Sequence, residues 1–153
     1  MKKMVSIARA LKEKNRVAGR LAKARQLVNK ENSQEEKIPR SIDVREYYDF
    51  AKLMRERLVS IKSAIAVANQ PIVSRIVEMA ELKSEIAYLN SLNVKEGLFE
   101  ESSYGSKLVR EYNAVVRSNE VLEEIANLQK RIEDLQDELD EFNASVKVEI
   151  EVD

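Results

Sequence analysis

Between Val121 and Phe142, apolar side chains fall at Val121, Ile125, Leu128, Ile132, Leu135, Leu139 and Phe142, separated by 4, 3, 4, 3, 4 and 3 positions. An α-helix places residues three and four apart on one face, and a stripe this narrow is the seam by which one helix lies along another. Ile125 and Ile132 take the a places of the heptad, and Leu128 and Leu135 the d places. Ser118 stands where an N-cap is wanted, and Glu120, Glu123 and Glu124 suit the positive end of the helix dipole. The spacing predicts a helix over 119–142.

The same step pattern recurs at Tyr47, Ala51, Met54, Leu58, Ile61, Ile65 and Ala68. Asp43 followed by Glu46 has the form of a capping box and opens a helix over 44–69. Asn69-Gln70-Pro71 then breaks the pattern. Proline suits a first helical turn and restricts the residue before it, so a new helix is expected over 71–92. One long helix kinked at Pro71 is the rival reading. Ile72, Ile76, Met79, Leu82, Ile86 and Leu89 line this next helix, and the two segments together read as an αα-hairpin. A first helix, 5–28, is less regular. Met4, Ile7, Leu11, Ala18, Leu21 and Val28 hold heptad places, but Lys14 and Arg25 fall on the same line. Gly19 weakens it by ~1 kcal/mol relative to alanine.

Composition agrees with helices. The 153 residues include 3 Gly and 2 Pro, too few for the many turns of a sandwich or barrel, and 35% are charged. With 5% aromatics and no Trp, any core is thin and aliphatic. The expected fold class is mainly α: a single domain over 1–153, built as an elongated antiparallel bundle or set of coiled-coil hairpins of about four helices, with a minor β element near the C-terminus. Residues 29–42 read as a polar linker and 93–106 as a loop. Leu108–Val116 is rich enough in valine to form a strand. Val146, Val148, Ile150 and Val152 alternate with charged residues, the period-2 pattern of a half-buried strand over 146–152. A sheet pairing these two segments would cap the bundle.

The chain has no Cys and no His, which excludes disulfides, thiol catalysis and imidazole or thiolate metal sites. Arg9 follows Lys2 and Lys3 too closely for a secretory leader, and Ala64–Ala68 is the longest apolar run, so no membrane span and a cytoplasmic location are expected. Glu78-x-x-Glu81, Glu120-x-x-Glu123 and Glu138-x-x-Glu141 share the spacing of helical Mg²⁺-dependent nucleotide hydrolases. In so charged a chain, composition alone produces such pairs. No nucleophile turn and no phosphate-cradling glycine loop occurs, so catalytic residues, cofactors, metals and small-molecule substrates are expected to be none, and the chain is read as no enzyme.

Charge is the stronger clue. Residues 1–30 hold ten Lys or Arg against Glu13 alone, and residues 119–153 hold twelve Asp or Glu against Lys130, Arg131 and Lys147. Lys12, Arg16, Arg20 and Lys23 form a cationic stripe. It is a candidate polyanion contact for nucleic-acid phosphates, or it lies beside the acidic late helix and neutralises it.

Three stretches resemble the septicolysin-like family of small bacterial helical proteins without an established activity. They are Arg9-Ala10-Leu11-Lys12-Glu13-Lys14 into Arg20-Leu21; Val67-Ala68-Asn69 with Glu81-Leu82-Lys83-Ser84-Glu85-Ile86 and Leu89; and Tyr104-Gly105-Ser106 through to Phe142-Asn143-Ala144. Val146 stands near the place where members often carry Trp. The resemblance implies the helical fold and no particular chemistry. The functional expectation is a non-enzymatic interaction or scaffold protein, self-associating or binding a protein partner through Ile125, Leu128, Ile132, Leu135 and Leu139. A nucleic-acid-binding module built on the basic first helix is the alternative.

Overall fold

The computed structural model describes residues 1–152. Among the described residues about two thirds are helical, in four helices. In order, the elements are β1 (Lys2–Ser6), α1 (Ile7–Glu31), α2 (Val44–Ala68), a 3₁₀ turn (Gln70–Ile72), α3 (Val73–Ser91), β2 (Gly97–Ser103), β3 (Ser106–Tyr112), α4 (Ser118–Ser145) and β4 (Lys147–Glu151). Two compact units result: Met1–Val73 with Leu139 onward, and Ser74–Glu138.

In the first unit, α1 and α2 run antiparallel, as the pairing of Glu13 with Arg57 and of Arg20 with Phe50 requires. Ser6 caps α1 by accepting the Arg9 amide at 3.3 Å, and Asp43 caps α2 by accepting the Glu46 amide at 3.0 Å. Ile7, Ala10, Val17, Leu21 and Ala24 of α1 close on Ala51, Met54, Ile61 and Ile65 of α2. The alanines let the two backbones approach, while Ile7, Val17 and Ile61 are almost wholly removed from water. Each such burial contributes about 1.5–3 kcal/mol. β4 completes the core with Val148 and Ile150, followed by Val152.

The buried face of α1 is rotated from the expected one by about one position. Ala10, Glu13, Val17 and Ala24 point inward in place of Leu11, Lys14, Ala18 and Arg25. The rotation releases Lys14 and Arg25 from the seam's centre and exchanges two misplaced cations for one buried carboxylate. Met4 belongs to β1 and is exposed.

The strand partners also differ from expectation. β1 pairs antiparallel with β4, with Val5 opposite Val148 and Lys3 opposite Ile150. The ladder continues outward through Val152 N–H to Met1 O at 3.1 Å and inward through Ile7 N–H to Val146 O at 3.0 Å. Leu108–Val116 is therefore not the partner of the C-terminal segment. Its residues 106–112 form β3, which pairs with β2 inside the supposed loop 93–106. Tyr104 and Gly105 form the two-residue connection with φ of 49° and 82°, the twist that suits a tight hairpin. On one face of the hairpin Phe99 and Tyr112 meet edge to face at 5.8 Å, and the Lys95 ammonium lies 4.2 and 4.1 Å from the two rings. Tyr112 donates to Glu101, which also faces Arg110 at 3.4 Å.

In the second unit α3 and α4 are antiparallel. Arg131 makes a two-point contact with Glu78 at 2.8 and 3.1 Å, and Arg75 reaches Glu138 at 3.1 Å. The stripe of α2 is thus used on α1, and ion pairs join α3 to α4. Through Asn69 and Val73 the backbone keeps right-handed helical angles, and Ile72 N–H reaches Asn69 O at 2.9 Å. Pro71 lies inside that single turn, where no amide is required of it.

Gly19 faces solvent within α1, and a β-carbon added there meets nothing within 4 Å. Gly19→Ala is expected to raise stability by about 0.5–1 kcal/mol in urea denaturation; an unchanged or lower midpoint would contradict this account of α1.

Candidate functional site

Two sets of residues are candidates: the aliphatic seam of α4 and the cationic side of α1. On α4, Val121 and Leu135 are buried, Ile125, Leu128, Ile132 and Leu139 are half-buried, and the positions between them are almost all exposed. Leu135 is wholly inaccessible. On α3, Met79 is buried, Leu82, Ile86 and Leu89 are half-buried, and Ile76 stands at 41% exposure. Two helices alone shield each seam from one side only, which accounts for the half-buried positions.

The cationic stripe does not act as one surface. Arg16 is engaged on its own helix, donating from Nε and Nη2 to the two oxygens of Glu13 at 2.9 and 2.8 Å. Arg20 lies 5.3 Å above the Phe50 ring of α2, a cation–π contact. With Lys23 it lines a shallow cleft of about 250 Å³ whose other walls are Ala24, Tyr47 and Phe50. Lys12 is exposed. The helix packed along α1 is α2, and the acidic α4 brings Phe142, with Val146 just beyond it, to the core that α1 shares.

Glu13, the single acid among the first thirty residues, is the charged group that matters most for packing. Its carboxylate accepts from Arg57 Nη2 of α2 at 2.9 Å as well as from Arg16. The Glu13 and Arg57 side chains are only 10% and 7% exposed. The same Arg57 nitrogen donates to the Glu151 carbonyl of β4 at 3.1 Å, so one guanidinium joins α1, α2 and the C-terminal strand. Nothing in composition singled out Arg57. The available signal was Glu13 itself, in helical phase with Ala10 and Val17 within an otherwise basic segment.

A second buried carboxylate shapes the connection between α1 and α2. Glu31 accepts from the amides of Ser41 and Ile42 at 2.7 and 3.2 Å and from the Ser41 hydroxyl. Arg40 donates to the Glu31 and Asn32 carbonyls at 2.9 and 3.1 Å, satisfying the last turn of α1. The polar segment 32–43 is thereby folded back on the helix end. The Ser41 hydroxyl, assisted by the two amides, holds the Glu31 carboxyl below its ordinary range. The Arg131 hydrogen bond does the same for Glu78, and the Tyr112 hydroxyl for Glu101.

The carboxylate pairs noted in the sequence do not converge. Glu78 and Glu138 are held by arginines, while Glu120 and Glu123 line a shallow cleft beside Leu89. Among the described residues no group of three potential metal ligands comes together, and no helix is long and apolar enough to cross a membrane. Compared with known proteins, the chain matches no protein-family model, no curated protein and no solved structure.

Arg57→Met is expected to cost about 3 kcal/mol in urea denaturation, because it removes one partner of a buried pair, and adding Glu13→Leu should restore most of the loss. A double variant whose cost equals the sum of the two single-variant costs would show that the pair is not coupled. The three depressed carboxyls stabilise the fold fully above the ordinary carboxylate range, and that contribution is lost as pH falls through their lowered values. The melting temperature should therefore drop below about pH 4, and Glu31→Gln should flatten that drop; a parallel pH profile for the variant would exclude Glu31 as a source.

Proposed function

We propose that this chain is a non-enzymatic helical interaction protein that self-associates through its second unit. The observation that carries the reading is a second stripe on α3, opposite the one that faces α4. Val73, Val77, Ala80, Ser84 and Ala87 are spaced 4, 3, 4 and 3 apart, and all five are exposed. They are small enough for a further helix to approach closely, and Tyr88 at 55% exposure borders them. An α-helix with apolar stripes on two faces is a helix between two partners, and α4 supplies only one.

The half-buried seam of α4 supports the same reading. In a complex of more than two helices, Ile125, Leu128, Ile132 and Leu139 would lose their remaining contact with water, at about 25 cal/mol per Å² of apolar surface covered. Placement among the septicolysin-like proteins, on the three stretches quoted above, forms part of this proposal. So does a cytoplasmic setting, where a cysteine-free chain needs no oxidative folding.

Light scattering of the intact protein is expected to give a multiple of its 17.6 kDa mass. Val77→Glu combined with Ala80→Glu should reduce it to the single-chain mass while the far-UV spectrum stays helical. A single-chain mass for the unaltered protein at high concentration, or an unaltered mass for the variant, would overturn the reading.

A further inference from the structure

We propose that the cleft where the end of α1 meets the start of α2 binds a nucleotide unit, its phosphate held by arginines and its base placed against Tyr48. The proposal is independent of self-association and lies on the first unit alone.

The cleft is open to solvent and has a volume of about 570 Å³, within the roughly 300–1,000 Å³ of small-molecule sites. Arg25, Lys52 and Arg55 stand around it, and no Asp or Glu is among its lining residues. A second cleft of about 510 Å³ adjoins it, sharing Asn32 and Tyr48 and adding Arg40 and Arg45. Five cations therefore surround one aromatic side chain.

Some of that charge is partly offset: Lys52 lies 3.4 Å from Asp49 and Arg55 lies 3.8 Å from Glu56. Both pairs are exposed and weak in water, and both leave the cations on the cleft wall. Arg40 is oriented by backbone carbonyls rather than by a carboxylate. The rotated face of α1 is what frees Arg25 for this wall.

The remaining walls distinguish a nucleotide from a bare anion. Tyr48 is 45% exposed, with the Lys52 ammonium 4.5 Å and the Arg45 guanidinium 5.6 Å from its ring, so ring and cations present themselves together. Val28 and Ala51 give an apolar floor. Asn29, Asn32 and Ser33 offer donors and acceptors of the kind that base edges and sugar hydroxyls require. An aromatic platform beside a cationic track is the arrangement by which single strands are held without a sequence code. The same chemistry is met by a free nucleoside phosphate or by one residue of a single strand.

The test titrates the full chain with a nucleoside triphosphate, a short single-stranded oligonucleotide and inorganic triphosphate, at low and at moderate salt. Binding of nucleotide or oligonucleotide that weakens with salt is expected. Tyr48→Ala should weaken both by about tenfold and leave inorganic triphosphate unaffected. Arg25→Glu with Arg55→Glu should abolish all three. Much tighter binding of the oligonucleotide than of the mononucleotide assigns the site to a strand, and equal binding assigns it to the free nucleotide. No binding at low salt, binding that survives the double variant, or a Tyr48→Ala effect no larger for nucleotide than for triphosphate would overturn the proposal. Should the double variant fail to fold, nucleotide-induced amide shifts at Asn29, Asn32 and Ser33 in the unaltered protein decide, and their absence counts against it.

Discussion

The return of the chain's end to its beginning is the constraint on which the first unit rests. β1 has one buried side chain of its own, Val5, and β4 has two, Val148 and Ile150. Neither strand is stable alone, since a two-stranded ribbon in water is marginal at best. Joined in register and laid against α1 and α2, they close a core that two helices leave open at one end. Arg57 secures the closure by reaching both Glu13 and the β4 backbone. Everything between Ser74 and Glu138 is therefore an insertion between α2 and the last two turns of α4.

The two units solve the problem of burying an aliphatic stripe in different ways. In the first, alanines at Ala10, Ala24 and Ala51 permit close approach, and strands cover the remaining edge. In the second, Met79 of α3 and Val121 and Leu135 of α4 are buried, and arginine–glutamate pairs join the two helices. Exposed pairs of this kind contribute little energy and act mainly on register. The hairpin of β2 and β3 carries its own small cluster, in which Lys95 sits against Phe99 and Tyr112. Its exposed Leu98 and Val109 show that it has no extensive core of its own.

Charge in this protein is organised by local engagement more than by the long-range polarity of the sequence. The basic first helix has its one acid turned inward, where it satisfies arginines from two helices. The acidic α4 draws on Arg75 of α3 and on its own Arg131. Arg25, Arg40, Arg45, Lys52 and Arg55 gather where α1 ends and α2 begins, around Tyr48. That concentration arises from the fold, because Arg25 and Arg55 are far apart in sequence and become neighbours only when the helices pair.

By itself the sequence determined where the helices lie and which face of α4 turns inward. Helical periodicity and capping are local, so Asp43 with Glu46, or the run from Val121 to Phe142, carries its meaning within a few turns. The tertiary structure alone decided the partners. β1 is invisible in Lys2–Ser6 because its complement lies at the opposite end of the chain, and β2 lacks the clean alternation that marks β4. The expected phase of α1 ran through Leu11, Lys14 and Ala18, and the buried one runs through Ala10, Glu13 and Val17. Burying Glu13 is unfavourable until Arg57 arrives from another helix to compensate it, and no local pattern reports that arrival.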